Sequence, residues 1–291
     1  MQLVFHTGAH FTEQDRLMRC LLKNKEAFGQ QGIAVPGPGK YRTLLNQTVD
    51  AMTVDAPASD AREILLDAIL DEETAHRVIL SNSRFLGAPR FAIDRGVIYP
   101  NAGQRVARLA HLFLADDIEL FMAVKNPASF MPAVYQRSPK NGLAEFTDGV
   151  DPHRIYWSDT VTRILDAAPG VKITIWCSED APLIWSQVLR EMGGVGPADD
   201  IEGSYDLLED IMAKEGMTRF RAFLEKHPNM TELQKRRAIV AFLEAFAIPE
   251  EIEEELDMPG WTTDTVDALT EIYDDDIAAM ERMPGVRVIT P

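Results

Sequence analysis

Four short apolar runs constrain this chain more than any other feature: QLVFH (2–6), RVILS (77–81), IELFMAV (118–124) and VKITIWC (171–177). Each predicts a strand, and RVILS one of the kind buried on both sides. Helical patterns fill the intervals between them. Buried strands joined through helices pair in parallel by crossover connections, so the series predicts an α/β fold: a parallel sheet covered by helices.

The punctuation between the runs agrees with that reading. A Gly-containing turn follows the first run, and Leu17, Leu21, Leu22 and Phe28 then recur on one helical face. Thr12, with Asp15 three residues on, predicts the N-cap of this helix and Gly32 its stop. The segment PGPGKYR (36–42) reads as a loop, followed by helical patterns at 43–54 and 60–71. Val106, Leu109, Leu112 and Phe113 mark a helix before the third run, Pro127 is placed as the first residue of the next, and a further helix runs from Pro182 to Met192. Trp157, Trp176 and Trp185 fall in amphipathic or strand patterns and are expected in the core. From 200 to 282 the pattern is helical almost throughout, before a closing VRVIT. The expected organisation is an α/β core over 1–199 and an acidic helical extension over 200–291, packed on the core and ending in a short strand. The run EEIEEELD (250–257) reads as a solvated helix face.

The formal charge of −17 is unevenly distributed. Residues 1–140 carry 16 basic and 15 acidic side chains, residues 141–291 carry 13 and 31. Nucleic acid is an unfavourable partner for so acidic a second half, because its affinity comes from Lys and Arg displacing counterions. The near-neutral first half is the better place for an anionic small ligand. Cys20 and Cys177 are far apart and without metal-ligand spacing, which predicts neither a disulfide framework nor a zinc site and fits a reducing, cytoplasmic compartment. No leader sequence and no membrane span are expected.

In open α/β sheets ligands bind beyond the carboxyl ends of the strands, where a helix N-terminus offers N–H groups to an anion. The segment His6-Thr7-Gly8-Ala9-His10-Phe11-Thr12 holds that position after the first strand. It has neither GxxxxGK[ST] nor GxGxxG, which disfavours an ordinary ATPase, GTPase or small-molecule kinase and a dinucleotide site. His6, Gly8, His10, Thr12 and Leu17 do match the loop pattern His-x-Gly-x-His-Lys-Thr-Gly and its sequel. LKNKEAFGQQGIAVPGP (22–38) matches a first helix followed by Gly-hydrophobic-x-x-Pro. Val124-Lys125-Asn126-Pro127 with Tyr135 matches an Arg-Asn-Pro motif, and Tyr273, Asp276 and Pro284-Gly285-Val286 match an ending. In these pieces, in this order, the chain resembles bacterial sulfotransferase-like proteins.

The resemblance implies a P-loop sulfotransferase-like core that binds 3′-phosphoadenosine 5′-phosphosulfate or its desulfated product, with no metal, and that moves sulfate to a hydroxyl of a glycan or small metabolite. It places the 5′-phosphosulfate loop at Gly8, Ala9, Phe11, Thr12 and Gln14, with Arg16 one turn on. It places the 3′-phosphate contacts at Lys125 and Tyr135. From its imidazole chemistry His10 is a candidate general base for an acceptor hydroxyl, the other reading being a hydrogen-bonded structural His. Arg84 and Arg137, each after an expected strand or helix end, are further candidates for anion contacts, the other reading being surface arginines.

The loop also departs from the pattern. Phe11 stands where the family has its Lys, Glu13 where it has Gly, and Gln14 and Asp15 where it has two hydroxyl residues; Lys125 replaces Arg and Ala133 replaces Ser. Losing one charge-stabilising donor costs a transition state about two to three orders of magnitude in rate. Carboxylates at Glu13 and Asp15 occupy the same helix field that a phosphate would use. The alternative expectation is therefore a non-catalytic protein of the same fold, binding a partner, including a protein partner through its acidic second half.

Overall fold

The structure is a computed structural model that describes every residue except 14, 55, 71–73, 198, 254, 255 and 257. All four apolar runs are strands. β1 (Gln2–His6) pairs in parallel with β3 (Arg77–Ser81) on one side and with β6 (Asp117–Val124) on the other. A two-residue β2 (Ile33–Ala34) flanks β3. β7 (Lys172–Cys177) continues beyond β6, and β8 (Val286–Ile289), the closing VRVIT, adds the last strand. The order is β2-β3-β1-β6-β7-β8, parallel throughout; β4 (Ile93–Asp94) and β5 (Val97–Ile98) form a separate antiparallel hairpin. The α/β class expected from the sequence is the one observed.

The two-residue period of the strands divides the core. Leu3, Phe5, Val78, Leu80, Leu120 and Ile175 face one layer, while Val4, Ile79, Phe121, Ala123, Trp176 and Ile289 face the other. The second layer is covered by α1 (Arg16–Lys23), α2 (Lys25–Gln30) and α9 (Ala181–Gly193). The first is covered by α3 (Pro38–Ala51), α4 (Ala61–Leu70), α5 (Ala102–Leu112), α6 (Pro127–Tyr135), the short α7 (Leu143–Thr147) and α8 (Trp157–Ala167). Trp157, Trp176 and Trp185 are all core residues.

Local departures from the sequence reading have physical causes. The first helical stretch is two helices, because Asn24 leaves the helix: its amide donates to the carbonyls of Cys20 and Glu202 and its oxygen accepts from Glu202 N. Thr12 is not the N-cap. Its hydroxyl is directed to Ala9 O and Glu13 Oε2, and α1 begins after Asp15, which stands at φ 63° with no side-chain cap. The helix expected at 43–54 starts earlier, at Pro38, since Pro suits a first helical turn and Tyr41, Leu45 and Val49 then bury one face.

Beyond residue 200 the chain does two things. α10 (Asp206–Ile211), α11 (Lys214–Lys226) and α12 (Glu232–Phe246) bury Leu208, Met217, Phe220 and Ile239 in a cluster of their own, followed by α13 (Pro249–Ile252). α14 (Thr263–Glu281) and β8 instead join the main core through Leu269, Tyr273, Met280 and Ile289. Residues 254, 255 and 257 of the acidic run 250–257 lie outside the described residues. Among the described residues no helix is long and apolar enough to cross a membrane.

Candidate functional site

The order of strands locates the site. The chain leaves β1 towards β2 and leaves β6 towards β7, so the connections diverge between neighbouring strands β1 and β6 and open a crevice at their carboxyl ends. A cleft of about 990 Å³ lies there, lined after β1 by Phe11, Thr12, Glu13 and Arg16 and at the end of β6 by Lys125 and Asn126. Trp176 of β7 lines it with Ser178 and Glu179 after that strand, as do Ala133 of α6, Arg137 just beyond that helix, and Glu251 and Ile252 of α13. Another hollow, of about 570 Å³, touches β2 and residues 74–75 before β3, near the opposite ends of the strands.

The β6 side is built by ordinary rules. Asn126 Oδ1 accepts from Ala128 N at 2.9 Å and caps α6, with Pro127 at the first helical position as the sequence predicts. The Asn126 amide reaches Thr270 of α14, and Asn126 N donates to Glu179 Oε1 at 2.8 Å. Trp157 Nε1 donates to Lys125 O at 2.8 Å, which fixes the backbone from which the Lys125 side chain springs. Asp276 of α14 accepts from Trp157 N and Ser158 N, at 2.7 and 3.2 Å, and so caps α8; burial raises its pKa. Tyr273 donates to Glu179 Oε2 at 3.3 Å, and desolvation of the carboxyl raises the Glu179 pKa although the residue as a whole is exposed.

The β1 side is different. Phe11 and Asp15 both adopt left-handed backbone, at φ 62° and 63°, which costs a residue with a side chain about 1–2 kcal/mol each. Gly8, at φ 95°, is needed: a Cβ there would lie 3.3 Å from Ser83 O. Four N–H groups in and beside this loop are donated within the protein. Thr7 N binds Phe121 O, Ala9 N binds Ala123 O at 2.7 Å, His10 N binds the Tyr99 hydroxyl and Arg16 N binds Glu13 O. Glu13 is 6% exposed, with Oε1 lacking a hydrogen-bond partner among the described residues and standing 3.5 Å from His6 Nε2. Asp15 is held by Arg42 through two bonds, of 3.1 and 2.7 Å, and that hydrogen bonding lowers its pKa.

The sequence candidates separate accordingly. Phe11, Thr12, Arg16, Lys125 and Arg137 come together on the cleft, while Gly8, Ala9, His10 and Tyr135 are not part of its wall. Gln14 lies outside the described residues. Tyr135 stands edge-on to Phe146, and its hydroxyl accepts from Gly142 N at 2.9 Å. Arg84 is exposed, away from the cleft lining.

His10 meets a geometry unlike that of a general base. The Tyr99 hydroxyl accepts from His10 N, so its single proton goes to His10 Nδ1 at 2.7 Å and leaves the ring proton on the buried Nε2. Burial, assisted by the charge of Arg84, lowers the His10 pKa to about 4, so the ring is neutral at pH 7 with its basic nitrogen occupied. His6 is neutral as well. Burial lowers its pKa, Ser81 Oγ lies 3.0 Å from its Nδ1, and its ring stacks on Trp176.

Sequence reasoning missed Glu179 and the carboxylate lip at Glu251. Glu179 follows a buried strand in the same sheet as the two loops that were singled out, and the carboxyl-end rule applied to 171–177 points to Ser178-Glu179. Among the described residues no three His, Cys, Asp or Glu side chains converge as a metal site.

No family model and no curated protein matches the chain. Among solved structures it is similar to a sulfotransferase from Alicyclobacillus acidocaldarius, at 16% identity over 83% of this chain and 94% of that one, with a TM-score of 0.37. At that similarity nothing about this chain's chemistry follows from the likeness.

Proposed function

We propose that this chain is a sulfotransferase-like protein whose cleft binds a small ligand without donor-dependent sulfate transfer. The observation that carries this reading is Glu13, a carboxylate buried in the loop that would face the 5′-phosphosulfate. A phosphate entering there meets a negative charge in a low-dielectric wall, where repulsion is far stronger than in water. Phe11 stands where a cation would be needed to stabilise the leaving group, and the one lysine nearby, Lys125, donates to Phe11 O at 3.2 Å.

The catalytic reading, transfer of sulfate from 3′-phosphoadenosine 5′-phosphosulfate to a hydroxyl, draws support from Lys125 and Arg137 on the same cleft. Lys supplies charge there but not the two-pronged grip of Arg. Calorimetric titration of the native protein with 3′-phosphoadenosine 5′-phosphate separates the two. The binding-protein reading expects no saturable heat at millimolar nucleotide. Micromolar affinity would establish the donor site and overturn it.

A further inference from the structure

We propose that the floor of the cleft at Glu13 receives a cationic head group, an ammonium or guanidinium carried on a small organic ligand with an apolar body. This rests on the reading of the cleft as a binding site without donor nucleotide and names the class of ligand it takes.

A buried carboxylate is costly unless it is hydrogen-bonded, and Glu13 is under-supplied. Its Oε1 has no hydrogen-bond partner among the described residues. Its Oε2 has one donor, the Thr12 hydroxyl at 3.0 Å, and that hydroxyl has a second acceptor in Ala9 O at 2.9 Å. One proton cannot serve both. An entering ammonium can take the shared Glu13 Oε2, and the Thr12 hydroxyl then turns to Ala9 O; Oε1 keeps His6 Nε2 as its neighbour at 3.5 Å.

The neighbouring charges are disposed to leave this role open. His6, 3.5 Å away, is neutral, and Arg42 is bound to Asp15. Arg16 is paired with Asp210 at 2.7 Å, and Lys125 donates to Phe11 O. Two more carboxylates, Glu179 and Glu251, line the same cleft and offset the charges of Arg16, Lys125 and Arg137 there. Phe11 and Trp176 are among the residues that line the cleft, which suits an apolar body behind a cation.

The test is calorimetric titration of the native chain with phenethylamine, 1,4-diaminobutane and agmatine, with 2-phenylethanol as the neutral counterpart of the first. At least one amine is expected to bind saturably, and Glu13→Gln to weaken it by about tenfold or more, as expected for loss of a charged hydrogen-bond partner. Thr12→Val, which removes the competing hydroxyl, is expected to bind at least as tightly as the native chain, and 2-phenylethanol not to bind. Absence of saturable amine binding overturns the proposal, as does equal affinity in Glu13→Gln, which would place the amines on the acidic surface. Equal binding of phenethylamine and its alcohol overturns it without recourse to any variant. Failure of all amines together with absence of nucleotide binding removes this inference alone. Nucleotide binding removes the reading beneath it.

Discussion

The loops after β1 and β6 leave adjacent strands at the same edge of one sheet, yet they are opposites. The end of β6 satisfies its polar groups one by one: Asn126 caps α6 and reaches Thr270, its N–H is taken by Glu179, and Lys125 O is taken by Trp157. The loop after β1 carries two left-handed residues with side chains, and a Glu13 oxygen and a nitrogen of His6, the last residue of β1, face each other at 3.5 Å without a hydrogen bond among the described residues. Proteins tolerate such local costs where a site requires them, held in place by well-made structure next door. The well-bonded β6 side is the scaffold of this cleft, and the strained β1 side carries the proposed ligand contact.

Substitutions that break the scaffold side are expected to have the largest effect. Trp157→Ala removes a fully buried ring that packs 5.0 Å from Phe130 and donates to Lys125 O. It should cost about 3–5 kcal/mol in denaturant unfolding, and a cost below about 1 kcal/mol would mean that the β6 end is not anchored as described. Asn126→Ala, which removes the cap of α6, should cost about 1–2 kcal/mol on the same measurement.

On the strained side the sign should reverse. Glu13→Gln replaces an acceptor-only group by one that both donates and accepts, and should raise the unfolding free energy by about 1 kcal/mol. A destabilisation of that size would show that the charge is satisfied in the folded protein. The smallest effect belongs to Asp15. With its side chain about half exposed (48%), its pair with Arg42 is screened, and Asp15→Asn should cost less than about 1 kcal/mol at pH 7. The folded-state pKa of Asp15 is depressed, so this contribution is present above the unfolded-state value near 3.8 and is lost as pH falls through the folded-state value. Melts of the native chain and the variant should therefore converge as the pH falls below 3.8 through the folded-state value.

The same contrast explains what was legible in the sequence. Strands buried on both faces announce themselves as apolar runs, and Pro127 with Asn126 before it states a helix start in two residues, so the sheet and the β6 side could be read directly. The β1 loop could not. Thr12 and Asp15 have the spacing of a capping pair, but the left-handed turns at Phe11 and Asp15 direct one side chain to Ala9 and Glu13 and the other to Arg42, contacts set by the fold rather than by spacing. His10 was placed by the motif on the ligand side, whereas its environment is decided by Tyr99, 89 residues away. Tyr135 likewise turns to a loop that follows it. Glu179 carries no motif, and only the position of its strand in the sheet brings it to the cleft.

The central claim is that Phe11 and Glu13 close the β1 loop to a nucleotide that Lys125 would otherwise help to hold. The most direct test is calorimetric titration with 3′-phosphoadenosine 5′-phosphate of the native chain beside a double variant, Phe11→Lys with Glu13→Gly. The native chain should give no saturable heat and the double variant should gain binding, which Lys125→Ala then weakens. Micromolar binding by the native chain, weakened by Lys125→Ala, would contradict the claim and leave a working donor site.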